Sequence, residues 1–300
     1  MKQLVKAVVP RTVLNRAVET RNWLGLAALP KQNFDSSNLR AADTLSPADI
    51  WGNKDVSASW EKDHEAIKAL YGDEDKMEGV NPGDRRALYY LIMALKPENV
   101  LEVGTHIAAS TLHIARALNR LNQNGRMTSV DIVDVNHPEQ GAWKKLGLAQ
   151  PPREFARRLE CLDRIDFQMG ASLELMRTTR QRYDFVFLDG DHSARAVYQE
   201  VGAALSLLRT GGAILLHDYY PGAKALYADD AMIGGPFHAL KRIRKENPVI
   251  SVLPLDDLPW PTKQGKNVTS LAMLARAAEP AFLPEVEGRR EENRIRAASC

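Results

Sequence analysis

The segment Phe187-Leu188-Asp189-Gly190-Asp191-His192 sets two carboxylates and an imidazole within four residues. The run Phe185 to Leu188 before them has the composition of a buried strand, so these groups gather at its carboxyl end. Asp191 has an ordinary use as the cap of a following helix. Asp189 has no such use, and the cluster exceeds what a turn needs. A second strand-like run, Ala213 to Leu216, opens into His217-Asp218. A third, Val100 to Val103, carries Glu102 just before Gly104. A carboxylate late in a buried strand needs a partner. A group on this chain or a ligand would serve, and a ligand is the expectation.

Asn99 to Leu118 reads as strand, tight turn and helix. Ser110 and Thr111 suit a helix start, and Leu112, Ala115 and Leu118 follow at helical spacing. Strands are expected at Met127 to Val133, Ile165 to Met169, Tyr183 to Leu188 and Ala213 to Leu216. Helices alternate with them: Ser110 to Leu121, a weak one within Gly141 to Leu148, Arg153 to Leu162, Ser172 to Thr178 and Ala194 to Leu208. The pair Gly211-Gly212 is expected to stop the last of these. Such alternation predicts an α/β fold with a doubly wound parallel sheet. Ligands of such sheets meet the carboxyl ends of strands. Asp131, ending the second strand, is therefore placed to hold ribose hydroxyls, ahead of Asp134.

The 300 residues carry 44% hydrophobic content and a net charge of +2. That balance speaks against a nucleic-acid partner. Cys161 and Cys300 cannot build a disulfide framework or a thiolate metal site, and a reducing, cytoplasmic compartment is the natural expectation. Residues 1–29 form a basic amphipathic segment, with Lys2, Lys6, Arg11, Arg16 and Arg21 against Glu19. It is expected to pack on the domain, on a second subunit of a homo-oligomer, or on the inner face of a membrane. Residues 30–96 read as linker and helical cap, with helices at Trp60 to Tyr71 and Arg85 to Lys96. Residues 97–276 form the main domain, and 277–300 a charged tail.

The acid-x-Gly turn resembles the first motif of the class I S-adenosylmethionine-dependent methyltransferases, with His106 and Ala108 at positions often glycine. It fits the nicotinamide-binding G-x-G-x-x-G less well. The stretch Tyr183 to Tyr219 resembles the catechol and caffeoyl-coenzyme A O-methyltransferases, and the likeness covers residues 79 to 275. It implies a Rossmann-like methyltransferase sheet, mostly parallel with the last strand antiparallel, and an N-terminal helical extension. It implies S-adenosylmethionine as cofactor, held by Glu102, Gly104, Thr105, His106, Ser110, Asp131, Ala171, Ser172 and Asp189. In that branch the first acid of the fourth-strand motif binds a divalent cation and the residue three later is a lysine base; those positions are Asp189 and His192. Asp218 matches the second metal acid, and Tyr219 replaces the asparagine after it. Magnesium or calcium suits these hard oxygen ligands. Imidazole titrates near neutrality, so His192 is the expected base and Asp189 its expected orienting group.

The implied reaction is methylation of a hydroxyl on a small polar molecule or sugar. Its rivals are a nicotinamide-dependent oxidoreductase and an inactive methyltransferase-like binding module. The loop Pro221 to Gly235 and the segment Leu258 to Lys263 are expected to border the acceptor, with Trp260 either lining that pocket or covering the core.

Overall fold

The computed structural model describes residues 11–277, apart from residues 45, 74–75 and 122–123. The first ten residues and the tail beyond 277, about which the sequence raised expectations, lie outside them. The chain opens with helix α1 (Arg11–Ala27), the short α2 (Pro47–Trp51), α3 (Lys54–Tyr71) and α4 (Pro82–Leu95). Helices α3 and α4 each begin on an asparagine cap. Asn53 accepts from Asp55 N and Val56 N, and Asn81 accepts from Asp84 N with Pro82 in the first turn.

The domain proper runs β1 (Asn99–Val103), α5 (Ala109–Arg120), β2 (Arg126–Asp131), α6 (Ala142–Lys145), α7 (Pro152–Arg158), β3 (Ile165–Met169) and α8 (Ser172–Thr178). It continues through β4 (Tyr183–Leu188), α9 (Ala194–Leu207), β5 (Leu208–Leu216), α10 (Gly235–Glu246), β6 (Ile250–Pro254) and β7 (Ala272–Arg276). The seven strands take the order β3-β2-β1-β4-β5-β7-β6. The five from β3 to β5 are parallel, and β7 runs antiparallel to both of its neighbours. The chain therefore has the Rossmann-like methyltransferase fold with N-terminal helices.

Alternate strand residues feed two apolar layers, as the pleat requires. Phe185, Phe187 and Leu215 join Trp60, Leu88 and Leu112 on one face. Val186, Leu188 and Ile214 join Val197, Val201 and Leu240 on the other. Asp63 stitches α3 to α5: it is fully buried and accepts from Arg116, Arg120 and Tyr89. On the second face, α1 is docked by buried Leu26 and by Asn22, whose Oδ1 accepts from Ala194 N at 3.1 Å.

Two local expectations change. The pair Gly211-Gly212 does not stop α9, because β5 starts at Leu208 directly after the helix. The two glycines lie inside β5, where the register against β4 shifts and both amides donate to Asn38 O. The cap of α9 is Ser193, which accepts from Ala196 N; Asp191 instead accepts from Ser193 N one turn earlier.

Candidate active site

The turn from β1 into α5 is left-handed at three places. Gly104 has φ +95°, His106 +50° and Ala108 +66°. Only glycine fits the first, since a Cβ there would lie 2.3 Å from the carbonyl oxygen of Asp189. His106 and Ala108 hold glycine-like backbone with side chains attached, a strain that structures retain where the surroundings over-determine it.

Beneath this turn lies a correction. Glu102 was expected to meet a ligand, yet it is fully buried and absent from the cavity wall. Its carboxylate accepts from Ser110 Oγ at 2.6 Å, Thr111 Oγ1 at 2.5 Å and Ser129 Oγ at 2.6 Å. Burial pushes its pKa up to about 7, while these three hydroxyls pull it down. Ser110 and Thr105 follow the same correction. Ser110 does not cap α5; its hydroxyl turns inward to Glu102, and Thr105 Oγ1 pairs with Ser129 Oγ at 2.7 Å. These side chains hold the turn together from behind.

Above the turn, a cleft of about 1240 Å³ runs along the carboxyl ends of the parallel strands. That exceeds the usual range of about 300–1,000 Å³ for one small ligand, and so leaves room for two. Gly104, His106, Asp131, Ala171, Ser172 and Asp189, all anticipated, line it. Asp131 is half-buried and accepts from His106 N at 2.9 Å and Val133 N at 3.2 Å. Asp134 is exposed and does not line the cleft.

At the β4 and β5 end the carboxylates and imidazoles interlock. His217 Nδ1 lies 2.9 Å from Asp189 Oδ1 and 3.6 Å from Asp218 Oδ1, and its Nε2 lies 3.2 Å from Asp84 Oδ2. Burial alone would lower the pKa of this ring. Asp189 and Asp218 outweigh that and hold it well above the ordinary histidine value. His192 Nε2 stands 3.4 Å from Asp218 Oδ2 and 3.8 Å from Asp189 Oδ1. The nearer group to orient His192 is thus Asp218, not the expected Asp189, whose Oδ1 is engaged by His217.

Asp189, His192 and Asp218 offer donor atoms within 4.8 Å of one another, all partly exposed to the cleft. The two carboxylates suit a divalent cation, with the imidazole of His192 beside them. Tyr219 adds no donor: it is buried, outside the cleft, with its ring 6.1 Å from Phe237.

The far wall of the cleft comes from Tyr220, Tyr227, Met232, Ile233 and Lys263. Lys263 Nζ lies 3.3 Å from Asp229 Oδ2 and 5.0 Å from the centre of the Tyr227 ring. Trp260 is not part of this wall. It is buried, donates from Nε1 to Gly83 O at 3.0 Å and packs on Trp51 and Tyr90, so it covers the core. Asp84 and Glu200 were missed in the sequence, where one stands in a turn cluster and the other on a helix.

Sheet order, glycine turn and the acids closing β2, β4 and β5 resemble those of class I methyltransferases. Residues 101–219 match a family described as a methyltransferase domain. Tapetum-specific methyltransferase 1 of Arabidopsis thaliana is 26% identical over 169 residues, which span 53% of this chain and 65% of that protein, just under two thirds of its length. A putative O-methyltransferase of Mycobacterium sp. (strain JLS) is 29% identical over 181 residues, 59% of this chain and 76% of that one. The solved structure of a putative O-methyltransferase from Klebsiella pneumoniae shares the fold with a TM-score of 0.50 at 16% identity, covering 87% of this chain and 97% of that chain. Residues 101–219 thus match a methyltransferase domain, and the chain as a whole is similar to O-methyltransferases. No helix among the described residues is long and apolar enough to cross a membrane.

Proposed function

We propose that the chain methylates a hydroxyl of a small polar molecule or sugar, with His192 as general base. The observation that carries this reading is the grouping of Asp131, Gly104 and the Asp189-His192-Asp218 trio on one cleft large enough for two ligands. S-adenosylmethionine, when bound, supplies the methyl electrophile. Asp131 would hold its ribose hydroxyls, and the backbone of Gly104, His106 and Ala171 would line its bed. The acceptor would lie against Tyr220, Tyr227 and Met232. As its oxygen attacks, its proton passes to Nε2 of His192, and Asp218 at 3.4 Å steadies the imidazolium that forms. Holding donor and acceptor in line supplies the rest of the catalysis. A magnesium or calcium ion held by Asp189 and Asp218 would lower the pKa of the acceptor hydroxyl.

The tests are direct. Calorimetry should show binding of S-adenosylhomocysteine and none of NAD, and an acceptor screen with labelled cofactor should show turnover. Binding of NAD alone would make the chain an oxidoreductase, and cofactor binding without turnover of any acceptor would make it an inactive module. His192→Ala should lower kcat roughly 10²- to 10⁴-fold with cofactor affinity kept, and near wild-type turnover would sink the assignment. Activity lost in EDTA and restored by magnesium would establish the ion; activity unchanged in EDTA would remove it. We also propose peripheral membrane contact through residues 1–29, since Val18, Trp23 and Leu24 of α1 are exposed beside Arg21. Failure to sediment with anionic vesicles would reject that contact.

A further inference from the structure

Glu200 sits on α9, 4% exposed, on the wall of the cleft. Its Oε1 accepts from Ser172 Oγ at 2.5 Å. Its other oxygen has no hydrogen-bond partner among the described residues, and it is not sealed in the interior. A carboxyl removed from water normally has its hydrogen bonds filled. Burial pushes Glu200 up to about 7, with Ser172 pulling it down and Asp191 pushing it up. The chain thus keeps a buried acid with one oxygen open to a ligand.

The layout of the cleft says which part of a ligand would arrive there. Asp189, His192 and Asp218 mark the reacting end, on β4 and β5. Asp131 stands two strands away on β2, and only β3 lies beyond it. A nucleoside gripped at its ribose by Asp131, with its 5′ side turned toward His192, has its base on the β3 side. The wall there consists of Gly170, Ala171, Ser172, Leu173, Ala196 and Glu200. Small and apolar side chains form a slot for a flat ring, and Glu200 is the ionisable group among them.

We propose that Glu200 recognises the nucleobase of the cofactor: its free carboxyl oxygen accepts a hydrogen bond from the 6-amino group of adenine, while Ser172 holds the other oxygen. The assignment rests on the reading of this cleft as the S-adenosylmethionine site. It makes Glu200 a specificity residue, because a 6-oxo base would set one acceptor against another, and unpaired acceptors are what such sites reject.

Calorimetry on the full chain with S-adenosylhomocysteine and S-inosylhomocysteine tests it, with thermal melts to check folding. Wild type should bind the adenosyl compound at least roughly 10-fold more tightly than the inosyl one. Glu200→Ala should lose roughly 10- to 100-fold in affinity for the adenosyl compound and little for the inosyl one. Glu200→Gln keeps the shape and the contact with Ser172 and can turn its amide toward a 6-oxo group, so it should narrow the preference even if the alanine variant folds poorly. Equal binding of both compounds by wild type, or an unchanged preference in Glu200→Gln, would overturn the assignment alone. Failure of wild type to bind either compound would overturn the cofactor reading and this assignment with it.

Discussion

Replacing Glu102 by alanine should destabilise the fold rather than merely weaken a ligand site. Three buried hydroxyls, those of Ser110, Thr111 and Ser129, donate to this carboxylate. Ser129 can turn to Thr105, 2.7 Å away, but Ser110 and Thr111 have no comparable substitute. Each orphaned polar group costs about 1–3 kcal/mol, so the pair costs about 2–6 kcal/mol. Against a total stability of about 5–15 kcal/mol, that is a large share. Glu102→Gln keeps the shape and an acceptor and should cost about 1–2 kcal/mol. The two side chains also differ in their response to pH. The folded pKa of Glu102, raised to about 7, lies above its unfolded value near 4.5. Its proton uptake therefore stabilises the wild type fully below about pH 4.5, and that contribution is lost as pH rises through 7. Glutamine has no such dependence, so the deficit of Glu102→Gln should be larger at pH 5 than at pH 8. Urea denaturation at both pH values measures this. A Glu102→Ala variant within about 1 kcal/mol of wild type, or a deficit of Glu102→Gln that ignores pH, would refute the reasoning.

Asp131→Ala should behave in the opposite way, lowering affinity for S-adenosylhomocysteine roughly 10- to 100-fold while the urea midpoint barely moves. Affinity equal to wild type in calorimetry would place the ribose elsewhere. Trp260→Ala should cost about 3–5 kcal/mol in urea melts and leave KM for any acceptor unchanged in the folded fraction. A raised KM with intact stability would return Trp260 to the acceptor wall.

Most of the architecture was legible because buried strands and amphipathic helices differ in period, and the turns between them carry glycine or capping residues. The carboxyl ends of the parallel strands were legible to within about two residues: β2 stops at Asp131, and the expected continuation through Ile132 and Val133 is exposed loop, whereas β5 begins at Leu208, well before the expected Ala213. The cluster of Asp189, His192 and Asp218 was legible where its members are sequence neighbours. Asp189 and His192 share one turn, and Asp218 ends the next strand of the sheet. What escaped was pairing over distance. Asp84 and His217 are 133 residues apart, and nothing local in a capped helix start says that its aspartate will face an imidazole.

Glu102, which was misplaced, and Glu200, which was missed, did leave a trace in their periodicity. A charge late in a strand demands a partner, but that rule is met equally by a ligand and by a neighbour. Parity could have decided between them. Glu102 shares its side of β1 with Val100, whose layer also holds Leu112 of α5, and Ser110 and Thr111 begin that helix. The partner was therefore available on the face to which Glu102 points. Glu200 lies three residues after Val197 and four before Ala204, on the same stripe of α9 as the buried Val197, Val201 and Ala204. A solvated helix face would put a glutamate off that stripe. A carboxyl on it, beside the carboxyl ends of parallel strands, must be answered by the chain, by a ligand, or by both, and with Ser172 holding only one oxygen the third answer is the one the geometry favours.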